Sequence, residues 1–268
     1  MKDKRILYVS SEVLPYLPEN ELSLMSFENA KEAHRKGVQT RIFMPRYGLI
    51  NERRHQLHEV IRLSGMNLVI NDMDMPLIIK VASIPKERMQ VYFIDNDEYF
   101  KRKALFTDED DVLFPDNDER AIFFAKGVVE TVKKLNWAPD VIHVHGWLAS
   151  LLPLYLKEYY KEDSLFENSK IVTSVYNHGF EGDLGAETAN KLKFDEIGEA
   201  EIGDLKESTY VNLMKSAIKN SDAIIKGSEH LEADLDAFID ASEKPVLEFK
   251  AVDEFTEAYL DFYENQVL

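Results

Sequence analysis

The order of the first elements, a strand, a loop and a helix, constrains the fold most. Residues 6–9 form a short apolar run rich in β-formers, and Ser10, Ser11 and Glu12 follow it directly. Apolar residues spaced three to four apart then predict a helix over residues 23–36, which ends at Gly37. In an α/β chain such a loop lies over the carboxyl edge of the sheet, where doubly wound folds bind their ligands.

The rest of the chain alternates in the same way. Strands are predicted at residues 40–44, 68–70, 77–81, 90–95, 141–144, 170–176 and 223–226, and helices at 119–135, 149–160, 211–220 and shortly after 229. Residues 71–75 suit a hairpin turn. Alternation of this kind implies parallel strands joined by right-handed crossovers. The sequence therefore predicts an α/β fold with a single Rossmann-like, doubly wound, mostly parallel sheet flanked by helices.

One domain is expected over residues 1–268, with residues 245–268 as a strand and a helix that pack back on it. The 32 Lys and Arg against 49 Asp and Glu give a net charge of -17, which opposes binding to nucleic acid or to anionic membranes. There is no cysteine, and no apolar run is long enough to cross a membrane. We therefore expect a cytoplasmic protein with neither nucleic acid nor membrane as a partner.

An acidic cluster at residues 108–111 is the one stretch that invites a metal assignment. Its spacing lacks the ordered ligands and the glycine of a calcium loop. A solvated loop is the better interpretation, and we predict neither a metal nor a cofactor.

Four motifs in order carry a family resemblance. SSEVLPYL at 10–17, MPRYGLI at 44–50, PDVIHVHGW at 139–147 and SVYN at 174–177 resemble the N-terminal domain of bacterial glycogen synthases and plant starch synthases. That family has two Rossmann-like domains facing each other across a cleft and transfers glucose from ADP-glucose to an α-1,4-glucan. The resemblance implies that this chain is equivalent to the N-terminal half of such an enzyme.

The first loop departs from the family pattern. The family carries Lys-X-Gly-Gly-Leu there, with the lysine and the glycine backbone beside the phosphates of the nucleotide sugar. The matching positions here are Pro18, Glu19, Asn20, Glu21 and Leu22. The cation and both glycines are absent, and two carboxylates that would repel a diphosphate are present.

Other family positions are kept. The resemblance implies a sugar-facing role for His145, the retained position of the family's active site, and substrate binding by His145, Trp147, Asp116 and Asn177. His143 is expected to pack within its strand. Trp147, Tyr176 and Phe180 near the sheet edge suit stacking on sugar rings, although aromatic residues of this kind more often pack in a core or a loop.

The leading hypothesis is a synthase-like domain without the donor-binding domain, inactive alone, that binds α-glucan or associates with a synthase chain through its cleft-facing surface. The alternative is an active glycosyltransferase completed by a second chain or by homodimerisation. A regulatory domain with a small ligand at the carboxyl edge is a third possibility. A glycosidase using Glu12, Glu19 and Glu21 is a fourth and weaker one, because the separation of their carboxylates is unknown.

Overall fold

A computed structural model of the chain describes residues 1–251 and 254–268. Its strands are β1 Arg5–Ser10, β2 Gln39–Pro45, β3 His58–Glu59, β4 Met66–Ile70, β5 Met73–Ile84, β6 Met89–Asp95, β7 Val141–His145, β8 Lys170–Val175, β9 Ala223–Lys226 and β10 Val246–Leu247. Its α-helices are α1 Glu21–Arg35, α2 Glu52–His55, α3 Asp97–Phe100, α4 Asn117–Lys134, α5 Leu152–Lys157, α6 Thr188–Phe194, α7 Glu199–Ile202, α8 Tyr210–Lys219, α9 Ala233–Asp240 and α10 Phe255–Phe262.

The strands of the described residues form one sheet in the order β10-β9-β8-β7-β1-β2-β6-β5-β3, with β4 paired to β5. The pairs from β10 through to β6 are parallel, and β5 runs antiparallel to its neighbours β6, β3 and β4. The chain starts in the middle, at β1, and builds outward on both sides. The sheet order therefore reverses next to β1, and this reversal defines the ligand-binding crevice of doubly wound folds.

The predicted mostly parallel α/β fold is confirmed. The strands are continuous apolar runs because both faces of the sheet are covered by helices, and from Ile6 to Ser10 every residue of β1 is buried. The predicted hairpin is also confirmed: β4 and β5 pair antiparallel with Ile70 opposite Met73, and Asn71 takes a positive φ in the turn between them.

One predicted helix is shorter than expected. The sequence indicates a helix over residues 149–160, but the structure has a 3₁₀ turn at Trp147–Ala149 followed by α5 over Leu152–Lys157. Pro153 fixes the start of α5, because proline fits only the first turn of a helix, where its missing N–H is not needed. After the helix, the Tyr160 amide bonds to the Tyr155 carbonyl, which turns the chain away.

The C-terminal segment contacts the first helix. Helix α10 packs on α1 and continues as a π-helical turn at Tyr263–Val267. The buried Tyr263 hydroxyl accepts a bond from Asn29 Nδ2 on α1 at 2.8 Å and bonds to His143 Nδ1 on β7 at 2.5 Å. Residues 252 and 253, which fall within the tail predicted to pack back on the domain, lie outside the described residues. Within the described ranges, no helix has both the length and the apolar character needed to span a membrane.

Candidate functional site

The polar residues singled out from the sequence meet at the carboxyl edge, around the exits of β1, β7 and β8. The Ser11 amide donates to the His145 carbonyl at 3.0 Å, so the first two exits are joined directly. Gly146 follows with φ +81°, and a Cβ there would lie 1.9 Å from Ser11 Oγ and 2.8 Å from Leu22 Cδ1. The chain therefore fills this part of the crevice itself and leaves no room for a side chain at position 146.

Glu12 is the central carboxylate of this edge. Its side chain is 2% exposed, and both carboxylate oxygens are engaged. Asn20 Nδ2 donates to Oε2 at 2.7 Å, and His178 Nε2 donates to Oε1 at 2.9 Å. The hydrogen bond to Glu12 raises the pKa of His178, and partial burial of the ring opposes this rise. Glu12 therefore ties the exit of β1 both to the start of α1 and to the exit of β8.

The start of α1 is closed by its own residues. Asn20 Oδ1 accepts from the Ser23 amide at 2.8 Å, and Ser23 Oγ accepts from the Asn20 amide at 3.0 Å, which together form a capping box. Glu21 occupies the first helical position, and its carboxylate accepts a hydrogen bond from Ser228 Oγ. A carboxylate in the first turn is stabilised by the helix dipole. The helix terminus that suits an external anion thus already has an internal one.

His145 lies beneath this edge and not on it. The side chain is fully buried, with Nδ1 in a hydrogen bond with the Tyr176 hydroxyl at 2.8 Å. Nε2 has no hydrogen-bond partner among the residues that the structure describes. Burial lowers the pKa of His145 to about 3, so the ring is neutral at pH 7. His143 packs inside its strand as expected, with its ring centroid 3.8 Å from that of His145.

The other three predicted site residues lie in different environments. Trp147 is 2% exposed, and its ring packs between Phe106 and Phe180 at centroid distances of 4.6 and 4.8 Å. Asp116 precedes α4 and forms a bidentate ion pair with Arg102. Asn177 is exposed, and its amide donates to Ser228 Oγ at 2.9 Å. The structure therefore brings His145, Trp147 and Asn177 to adjacent strand exits, and the substrate-binding role of all four residues stays a prediction.

An open groove lies beside these residues. It has a volume of about 570 Å³ between the segment before α4 and the loop that leaves β8. Its lining residues are Leu105, Phe106, Thr107, Asp111 and Leu113 on one side, and His178, Gly179, Phe180 and Glu181 on the other. Two aromatic rings, two carboxylates and a histidine thus line a cavity at the ligand-binding edge of the sheet.

The β8 exit loop, defined here as residues 177–182, is one wall of this groove and is anchored by its neighbours. A Cβ at Gly179 would lie 2.5 Å from the Tyr210 ring, so only glycine fits against that tyrosine. The Tyr210 hydroxyl donates to the Tyr176 carbonyl at the start of the loop. Behind the loop, a Cβ at Gly227 would lie 2.4 Å from the Tyr176 ring.

Sequence reasoning did not identify the pairing of His178 with Glu12, nor Phe106 and Tyr210 as parts of this site. His178 and Glu12 both follow strands directly, at the exits of β8 and β1, which are the two strands next to β7. That placement is the one indication of their contact in the sequence. Phe106 lies in an irregular segment, where no periodicity indicates direction.

Among the described residues, no group of three or more His, Asp or Glu side chains is arranged to hold a metal ion.

The mostly parallel sheet, with its polar residues gathered at the carboxyl edge, defines a Rossmann-like α/β domain. Comparison with known proteins gives the family: the starch synthase catalytic domain matches residues 5–237, and the chain belongs to that family. Glycogen synthase of Chlorobium luteolum is 38% identical over 241 residues, covering 87% of this chain and 47% of the relative. Glycogen synthase of Chlorobium limicola is 41% identical over 199 residues, covering 73% of this chain and 40% of the relative.

A solved structure shows the same fold. The catalytic domain of starch synthase IV from Arabidopsis thaliana, bound to ADP and acarbose, matches with a TM-score of 0.73 at 18% identity. The match covers 92% of this chain and 51% of that structure. The chain therefore spans about half the length of the proteins it matches, and it is a glycogen or starch synthase-like glycosyltransferase domain.

Proposed function

We propose that this chain binds α-1,4-glucan and does not transfer glucose from ADP-glucose on its own. The observation that carries this proposal is the start of α1, where Asn20 and Glu21 fill the position at which the family resemblance expects the donor's phosphates. The groove beside it is open. In this proposal the donor end, at the start of α1, is closed by the chain's own side chains, whereas the groove is free to bind a glucan.

Loss of donor binding follows from electrostatics. Transfer from a diphosphate needs cations or amide donors placed at the leaving group. Here the Glu21 carboxylate occupies the helix terminus and is bonded to Ser228, while Glu19 adds a second negative charge in the same loop. At these positions a diphosphate would meet repulsion, and no lysine is present in the loop to offset it.

Glucan binding is supported by the chemistry of the groove. Sugar rings pack their apolar faces on aromatic side chains, and Phe106 and Phe180 line the groove with their positions fixed by the buried Trp147 between them. Carboxylates accept hydrogen bonds from sugar hydroxyls, and Asp111 and Glu181 lie in the same lining. In this proposal Trp147 supports the sugar-binding rings from behind.

Association with a synthase chain, or self-association through the carboxyl edge, is the second part of the proposal. It is supported by Val112, which is 59% exposed in the segment that borders the groove. A partner chain that supplies a donor-binding domain would provide donor binding, which is the alternative of an enzyme completed in trans. The proposal places the protein in the cytoplasm.

The test is calorimetric titration of the purified chain with maltoheptaose, ADP-glucose and ADP in parallel. The expected result is binding of maltoheptaose and no heat from either nucleotide. Binding of ADP-glucose in the micromolar to low millimolar range would overturn the proposal for the donor end. Absence of maltoheptaose binding would overturn the proposal for the groove.

A further inference from the structure

We propose that His178 and Glu12 form a pH-dependent latch that holds the β8 exit loop against the exit of β1, so that protonation of His178 sets the glucan affinity of the groove. This inference rests on the proposed function, because it assigns a positioning residue to the same groove. It adds a regulation that the proposed function does not require.

The geometry suits a latch. Glu12 is almost fully buried and held from the other side by Asn20, so its position is fixed by the capped start of α1. His178 is 43% exposed and exchanges protons with solvent. One partner is therefore rigid and buried, and the other is accessible and titratable.

The latch acts on the groove through the loop that carries His178. Gly179, Phe180 and Glu181 follow it directly and line the groove together with it. On the other side of His178, the Asn177 amide is fixed by Ser228, which in turn bonds to Glu21. Loss of the contact with Glu12 leaves the loop held by Ser228 and by Tyr210 but no longer joined to the exit of β1, and the wall that holds Phe180 becomes less ordered.

The charges around the pair favour the protonated form of His178. The titratable and charged groups on the elements around His178 are Glu12 from the β1 exit, Glu21 from α1, Asp111 from the segment before α4, Glu181 from its own loop, and Tyr210 from α8 with Glu232 beside it, while Tyr47 from the β2 exit lies near Glu12. The negative charges of Glu12 and Glu21 favour an imidazolium at His178, and Glu12 does so most because it is in contact.

The sign of the pH dependence follows from this arrangement. The folded state raises the pKa of His178 above its ordinary value of about 6.5. The stabilisation that the latch provides is therefore complete below about pH 6.5 and is lost as the pH rises through the folded-state pKa. Because the closed latch orders the groove wall, glucan should bind more tightly at pH 6 than at pH 9.

The first experiment follows the histidine directly, without glucan. Imidazole proton shifts are titrated by NMR from pH 5 to 9 in the wild type and in Glu12→Gln, and the His178 signal is assigned by its disappearance in His178→Gln. The wild-type signal should have a midpoint above about 6.5 that falls in Glu12→Gln. Equal midpoints in the two proteins would overturn the latch.

The second experiment measures maltoheptaose affinity at pH 6 and pH 9. The wild type should bind roughly fivefold more tightly at pH 6, and His178→Gln, which keeps a side-chain N–H donor, should show equal affinity at both values. The control is His230→Gln, because His230 is exposed and outside the groove lining, and it should behave as the wild type.

A pH dependence that persists in His178→Gln would overturn the latch while leaving the proposed function intact. Absence of binding at both pH values would overturn the proposed function, and the NMR midpoints would still report whether the pair exists.

Discussion

The start of α1 and the groove beside the β8 exit loop lie at the same edge of the sheet, but the first is filled by the protein's own side chains and the second is open. At the start of α1 the protein's own Asn20, Glu21 and Ser228 form hydrogen bonds where the family resemblance expects phosphates. At the groove about 570 Å³ remains open between aromatic and acidic side chains. In the proposed function, the donor end is closed by the chain's own side chains while the neighbouring groove stays open to a glucan.

The closed region is the more rigid of the two because its parts are in contact. Ser11 and Leu22 occupy the space that a Cβ at position 146 would need, so the exits of β1 and β7 and the start of α1 form one packed unit. The groove wall is joined to this unit through Glu12 and His178. The following predictions change one region at a time, from the largest expected effect to the smallest.

Gly146→Asp should lower the free energy of unfolding by about 3 kcal/mol or more. The new Cβ would overlap Ser11 Oγ, and the positive φ adds backbone strain. Urea denaturation measures the loss. Gly182→Asp is the matched control, because Gly182 has φ +84° with no atom near its Cβ position. It should cost only about 1 kcal/mol, and equal losses in the two variants would contradict the packed crevice.

Phe180→Ala should weaken maltoheptaose binding roughly tenfold or more, because it removes one aromatic surface of the groove and a support of Trp147. Calorimetry measures the affinity. Phe194→Ala removes a phenylalanine that is 49% exposed at the end of α6 and absent from the groove lining, and it should bind as the wild type does. If both variants bind like the wild type, the glucan site lies elsewhere.

His145→Gln should reduce the acid sensitivity of the fold. His145 is buried and neutral, with its pKa lowered to about 3, so an unfolded chain takes up a proton below about pH 6.5 that the folded chain does not. This histidine therefore contributes a fall of about 1.4 kcal/mol in the free energy of unfolding per pH unit below that value. Urea denaturation between pH 4.5 and 6 should show the slope reduced by that amount in His145→Gln and unchanged in His230→Gln. An unaltered slope in His145→Gln would indicate that the ring is solvated.

Glu21→Ser should have the smallest effect: it should give the protein a weak affinity for ADP, with a Kd of roughly a millimolar or above. It removes the carboxylate at the first position of α1 while leaving the Asn20 and Ser23 capping box in place. Glu32→Ser changes a carboxylate in the last turn of the same helix and should show no ADP binding. Equal behaviour of the two variants would mean that Glu21 is not what closes the donor end.

Much of the fold could be predicted from the sequence, because strands and helices follow from local patterns. The buried runs at β1, β6, β7 and β9 lie within a residue or so of their predicted bounds. Helix α5 is shorter than predicted because proline position and an i to i−5 turn, not apolar spacing, set its limits.

The site was less accessible to such reasoning. Motifs placed His145, Trp147 and Asn177 at neighbouring strand exits, but their burial depends on which side chains face them across the sheet. The Glu12 and His178 pair joins residues 166 positions apart, and their contact depends on the strand order, in which β7 alone separates β1 from β8. That order is a property of the whole chain and not of either segment.

The most direct test of the contrast between the two regions is a backbone amide NMR map of the wild-type protein with saturating maltoheptaose and, separately, with ADP-glucose. We expect glucan-induced shifts in residues 105–113 and 178–181, and no shifts from ADP-glucose in residues 20–23 or at Ser228. Shifts from ADP-glucose at the start of α1, with none from maltoheptaose in the groove, would contradict this contrast.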